Sequence, residues 1–168
     1  TVSLGGVTTE EALSVLQTRL PDKSAEELSR AATLWGGNIG QALLGLQDGS
    51  YREILDILPA LAAGLTAPNE LSLLLATAPL EKRKDAVPAV LSGLQLIFRD
   101  ALVAKAGNPS FLGTCPEASR TLAQTLTVPR LLALLSTVED LQKARLRNIN
   151  HTMFITLLCS RLRRAAGR

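Results

Sequence analysis

Apolar residues return along this chain every three or four positions, broken by short clusters of Gly, Pro, Asn and Ser, the spacing of helices that bury one face. The first three stripes are short: Ala12, Leu13, Leu16 and Leu20, then Leu28, Ala31, Ala32 and Trp35, then Ile39, Ala42, Leu43 and Leu46. Thr8-Thr9-Glu10-Glu11 and Ser24-Ala25-Glu26-Glu27 precede the first two with the Ser/Thr-x-x-Glu order of a capping box. Between the second and third, Gly36 and Gly37 offer the left-handed backbone that ends a helix. Asn38 is placed to cap the next helix, and Gln41 takes the capping-box Gln position. The pattern predicts a small three-helix bundle.

A polar turn, Gln47-Asp48-Gly49-Ser50, closes this part and marks the expected domain boundary, giving domains of 1–49 and 50–168. Longer stripes follow. Tyr51 to Leu65 carries Ile54, Leu55, Leu58 and Leu61, and Pro59 is expected to kink or divide it. Asn69 to Ala78 predicts a short helix whose apolar face is Leu71, Leu74 and Leu75. Glu81 to Ala106 predicts a long one through Val87, Val90, Leu91, Leu94, Phe98, Ala101 and Leu102, with Pro88 at a kink or in an early turn. Thr114-Cys115-Pro116-Glu117 matches a third capping box, opening a helix through Leu122 to Leu126. Thr127-Val128-Pro129 opens a stripe of Leu131, Leu135, Val138 and Leu141. Asn148-Ile149-Asn150 interrupts the period before a last stripe of Met153, Phe154, Leu157, Leu158 and Leu162. The one strand candidate is Thr1 to Leu4.

Composition agrees with an all-α fold. The chain is 46% hydrophobic yet 3% aromatic, and 34 of its 168 residues are Leu, a good helix former, so strand-favouring aromatic content is scarce. Its length suffices for a substantial core. The mean hydropathy of +0.20 raises the question of a membrane span. However, the charge-free runs Ile57 to Asn69 and Ala86 to Phe98 contain Pro and fall short of the roughly 20 apolar residues a span needs. With no signal peptide and no initiator Met at Thr1, the expectation is a fragment of a longer cytoplasmic protein.

Little catalytic chemistry stands out. Cys115 and Cys159 lie far apart without metal-ligand spacing, so two free thiols and no metal site are expected. His151 is the single histidine, a capping or surface residue rather than a catalyst. The phosphate loop G-x-x-x-x-G-K-[ST] is absent, and the glutamate pairs at 10–11 and 26–27 suit helix first turns. Charge is distributed unevenly. After Asp140 there is no acid but seven bases: Lys143, Arg145, Arg147, Arg161, Arg163, Arg164 and Arg168. That end suits a solvated helix face, an acidic neighbouring subunit, DNA phosphate or an anionic surface. It lacks the aromatic residues that stack on single strands.

Three motifs in order carry a family resemblance. Trp35-Gly36-Gly37-Asn38-Ile39-Gly40-Gln41-Ala42-Leu43 resembles the G-N-x-x-x-A-L corner in the lid of bacterial clamp-loader subunits, the AAA+ proteins that load the sliding clamp for DNA polymerase III. The segment Leu96 to Gly107, with Arg99-Asp100, resembles the W-x-R-D-L-L-x-x-K-x-G segment of the delta-prime subunit and its relatives. Ala144-x-x-x-Asn148-Ile149-Asn150 with the final apolar helix resembles that subunit's closing pattern, with Thr156 in place of a family Glu.

The resemblance implies a three-helix AAA+ lid followed by a helical collar, in a subunit that assembles with delta and gamma or tau through the collar and meets DNA only through the full complex. The sensor-two Arg of hydrolysing subunits is replaced at Gly40, beside Gln41, which implies a lid without hydrolysis. Glycine there is equally explained by close helix packing. The expectation is no enzyme activity and no cofactor in this fragment of a polymerase complex, no membrane partner, and candidate interface residues Arg99, Asp100, Asn148, Asn150, Arg161, Arg163 and Arg164. The alternatives are a gamma/tau-type ATPase region and an unrelated helical adaptor.

Overall fold

The structure, a computed structural model, describes residues 7–107, 110–147 and 149–168. Among these residues it is entirely helical: α1 (Thr9–Arg19), α2 (Ala25–Leu34), α3 (Ile39–Asp48), α4 (Ser50–Thr66), α5 (Leu71–Lys82), α6 (Val87–Lys105), α7 (Pro116–Thr125), α8 (Val128–Arg145) and α9 (His151–Ala165). The strand candidate Thr1 to Leu4 lies outside the described residues. The chain divides into two compact units, Thr1–Glu53 and Ile54–Arg168. The division falls inside α4, just beyond the Asp48–Ser50 turn.

In the first unit, α1 starts as its sequence predicts. Thr8 Oγ1 accepts the Glu11 N–H at 3.3 Å, and the Glu11 carboxylate accepts the Thr8 N–H at 2.9 Å. The Thr8 backbone bond, then the Thr8 hydroxyl, hold the Glu11 carboxyl below its ordinary range. At α2, Ser24 Oγ accepts the Glu27 N–H at 3.1 Å, while the Glu27 carboxylate pairs with Lys23 at 2.8 Å. The α2–α3 corner is a Schellman stop followed by an Asn cap. Gly36 and Gly37 stand at φ 58° and 78°. Their N–H groups bond to the Thr33 and Ala32 carbonyls at 3.1 and 2.9 Å. Asn38 Oδ1 then accepts the Gln41 N–H at 3.1 Å.

This corner turns Trp35 onto α3. Its ring lies 5.9 Å from that of Tyr51, and a Cβ on Gly45 would sit 2.5 Å from Trp35 Cζ2 and 3.2 Å from Ser50 Oγ. Gly45 is therefore the glycine that close packing requires. Gly40 is not: it is exposed, and a Cβ there would meet only Asn38 Oδ1 at 3.7 Å. The close-packing explanation of Gly40 is thus overturned.

In the second unit α6 is the central helix, packed by both α7 and α8, while α9 packs on α8 and on α5. Phe98, Leu91, Leu94, Leu131, Leu134, Leu158 and Leu162 are sealed from solvent. Among the described residues α6 alone is long and apolar enough to cross a membrane, and more than half of it is buried within this core.

Several expectations are corrected here. Pro59 does not divide α4, which is continuous, and the proline sits at an exposed position. The Glu81–Ala106 stripe is interrupted at residues 83–86, α5 ending at Lys82 and α6 opening at Val87; Pro88 takes the early-turn place expected for it, where its missing N–H costs no helix bond. In turn α5 runs through Pro79 to Lys82. Pro116 acts likewise at α7: it makes Cys115 the N-cap, so Thr114 lies outside the helix and the expected capping box does not form. In α8 Leu134 is buried beside Leu131, Val138 and Leu141 while Leu135 lies at the margin, and in α9 Met153 is exposed.

Trp35 is the only tryptophan, so its fluorescence reports on the first unit alone. Gly45→Ala should lower the stability read by that signal in urea by about 1–3 kcal/mol through overpacking. Gly40→Ala should leave it unchanged or raise it by up to about 1 kcal/mol. Equal responses at the two positions would contradict the different packing assigned to them.

Candidate interaction surface

The basic carboxyl-terminal helix is held by a sequence of bonds that sort its arginines. Asn150 caps α9, its Oδ1 accepting the Met153 N–H at 3.3 Å. The neighbouring His151 donates from Nε2 to the Leu80 carbonyl at 2.7 Å, tying the start of α9 to the end of α5. Farther along, Thr77 Oγ1 and Cys159 Sγ meet at 3.1 Å in the buried seam between the same helices. Burial pushes the Cys159 thiol upward, and the Thr77 bond opposes this.

Arg163 lies over the segment preceding α5. Its guanidinium donates to the Asn69 carbonyl at 3.0 Å and the Pro68 carbonyl at 3.5 Å, and its Nε stands 3.4 Å from Glu70. Arg168 donates to the Thr66 carbonyl at 3.4 Å. These two arginines close the α4–α5 connection. Arg163 is thus occupied within the chain, whereas Arg161 and Arg164 project from the exposed side of α9.

Beside this clasp lies a groove of about 360 Å³ between α5 and α9. Leu73, Leu74 and Cys159 give it an apolar side; Thr156, Ser160, Arg163, Arg164 and Arg168 give it a polar, cationic one. The apolar face expected for α5 is inverted. Leu73, Thr77 and Leu80 face inward, and Leu71, Leu74 and Leu75 are 60%, 50% and 63% exposed. With Leu at 71, 73, 74, 75 and 80, spacing alone supports either face. The inward one is chosen by the Thr77–Cys159 contact and by Gly64, where a Cβ would lie 2.8 Å from the Leu73 Cα.

Arg99 and Asp100 form a different kind of site. Asp100 is 0% exposed and its carboxylate accepts the Gly113 N–H at 2.7 Å and the Leu112 N–H at 3.0 Å. Arg99 Nη1 donates to it at 2.7 Å and remains partly exposed. Asp100 therefore anchors the loop ahead of α7, and of the pair only Arg99 offers surface. Gly40 and Gln41 belong to the first unit, Arg99 and Asp100 to the second. Asn148 lies outside the described residues. Among the described residues no group of three or more His, Cys, Asp or Glu could hold a metal ion.

No family model, curated protein or solved structure matches the chain.

Removing the Asp100 carboxylate leaves two loop N–H groups without their acceptor. Asp100→Ala should cost about 2–5 kcal/mol in thermal or urea unfolding of the second unit, given the penalty for orphaned buried donors and the lost charged bonds. An unperturbed unfolding transition would show the loop to be held by other contacts.

The raised thiol pKa has a defined sign. The folded chain binds the Cys159 proton more tightly than the unfolded chain, so its stabilising contribution is present below the ordinary thiol range and is lost as pH rises through it. Stability should decline more steeply above roughly pH 9 in the native chain than in Cys159→Ala, compared by urea unfolding across that range. Parallel pH profiles would contradict the linkage.

Proposed function

We propose that this chain is the lid and collar region of a bacterial clamp-loader subunit of the delta-prime type, acting as a non-hydrolysing stator in DNA replication. The observation that carries the reading is the order of its motifs along the chain, each at a helix boundary or on one helix. The Trp35–Leu43 corner joins α2 to α3 in a three-helix unit, Arg99-Asp100 lies on α6, and Asn150 caps the last helix.

Gly40 supports the stator role because packing does not explain it. It is exposed in the first turn of α3 with room for a side chain, yet it has none. A guanidinium suits the sensing of nucleotide phosphate because it bonds two oxygens at once, and glycine offers no such group. ATP would then be hydrolysed by neighbouring subunits, and the collar helices would join those of delta and gamma or tau in the cytoplasm.

Arg161 and Arg164 are the arginines to test for subunit contact, since Arg163 is engaged within the chain. The full chain, co-expressed with the delta and gamma or tau subunits of its own genome, should co-purify with them. Arg161→Glu with Arg164→Glu should weaken that association about tenfold or more while circular dichroism remains unchanged. Calorimetry should show no specific ATP binding. Absence of the chain from the assembled loader, or sub-millimolar ATP binding, would overturn the proposal.

A further inference from the structure

The exposed leucines of α5 go beyond the clamp-loader reading and hold independently of it. Leu71, Leu74 and Leu75 stand at i, i+3 and i+4, one helical face, and each has half or more of its surface in water. A contiguous apolar face of this kind on a packed domain marks a place where another molecule sits. Leu74 also forms one lip of the α5–α9 groove, so the exposed face continues into a concavity.

Charge selects the occupant. α9 carries no acidic residue, and Arg161, Arg164 and Arg168 lie on its exposed side or just beyond its end. The one acid lining the groove, Glu70, is paired with Arg163. We propose that the groove between α5 and α9 docks an acidic amphipathic helix of a partner protein, its leucine-like stripe on Leu71, Leu74 and Leu75 and its carboxylates toward Arg164. The dimensions agree. The 12 residues of α5 extend about 18 Å, three turns or so of a partner helix, and an apolar stripe laid into a groove is an established mode of peptide recognition. A flat bilayer would meet the leucines without entering the groove, and DNA would gain nothing from three leucines.

Two fluorescein-labelled synthetic peptides of about five helical turns test this on the full chain by anisotropy at low salt. Both carry Leu at i, i+3, i+4 and i+7; one has Glu at the flanking positions and the other Lys. The Glu peptide should bind, more weakly as salt rises, and the Lys peptide should not. Leu71→Ser with Leu75→Ser changes exposed side chains and should retain the native circular dichroism while weakening the Glu peptide about tenfold. Arg164→Glu should reduce Glu-peptide binding and admit the Lys peptide. The proposal is overturned by no binding of the Glu peptide, by equal binding of both peptides, or by full binding in the leucine variant. It is equally overturned if the leucine variant instead abolishes sedimentation with vesicles of phosphatidylcholine and phosphatidylglycerol, or abolishes self-association seen by ultracentrifugation. In those cases the face belongs to a membrane or to a second copy.

Discussion

Asp100 is the only charged residue sealed inside the described part of the molecule, and the second unit is organised around it. A buried carboxylate is costly by several kcal/mol unless its oxygens are bonded. Here the bonds come from the backbone of Leu112 and Gly113 and from Arg99. Those bonds bring the loop back against α6 and deliver the chain to Cys115 and Pro116, where α7 begins. Gly113 is close-fitted to this arrangement, since a Cβ on it would lie 3.0 Å from Asp100 Oδ2 and 3.3 Å from Leu96 Cβ. Through that return α7 covers one side of α6 while α8 covers another. A leucine core specifies helix faces only loosely; one carboxylate with directional partners specifies where a loop must pass.

How much of this could be read from the residues depends on whether the deciding interaction is local. The α1 capping box, the two-glycine stop after Trp35 and the Asn38 and Asn150 caps involve partners within a few positions, and they stand as their sequence predicts. Nonlocal decisions were illegible. The inward face of α5 depends on Cys159 and Gly64, which are distant in sequence, and leucines on both faces conceal the choice. Likewise Arg99-Asp100 reads as a surface pair until the bonds to Leu112 and Gly113 are seen. One failure was local and avoidable: Pro116 restricts the residue before it, which makes Cys115 the N-cap and removes the apparent capping box at Thr114.

Arginine placement links this core to the surface. Arg163 and Arg168 spend their donors on the carbonyls of residues 66–69, groups at the end of α4 and just beyond it that would otherwise be satisfied by water. They therefore fix the start of α5 and leave Arg161 and Arg164 as the cations that project outward. The basic carboxyl end is accordingly two populations, one spent on the fold and one available to a partner. Counting seven bases after Asp140 treats them as a single patch, which the hydrogen bonds do not support.

The cost of the exposed leucines is the remaining step. Leaving three leucines half in water forfeits apolar burial of about 1–2 kcal/mol each. Asn69 Oδ1 accepts the Ser72 N–H at 3.2 Å at the start of α5, and the helix is secured along its inner face by Leu73, Thr77 and Leu80 and at its C-terminal end by His151. None of these anchors uses the side chain of Leu71, Leu74 or Leu75, so the outer face contributes little to holding α5 in place. A surface whose apolar residues are dispensable for its own helix retains its full hydrophobic driving force for association.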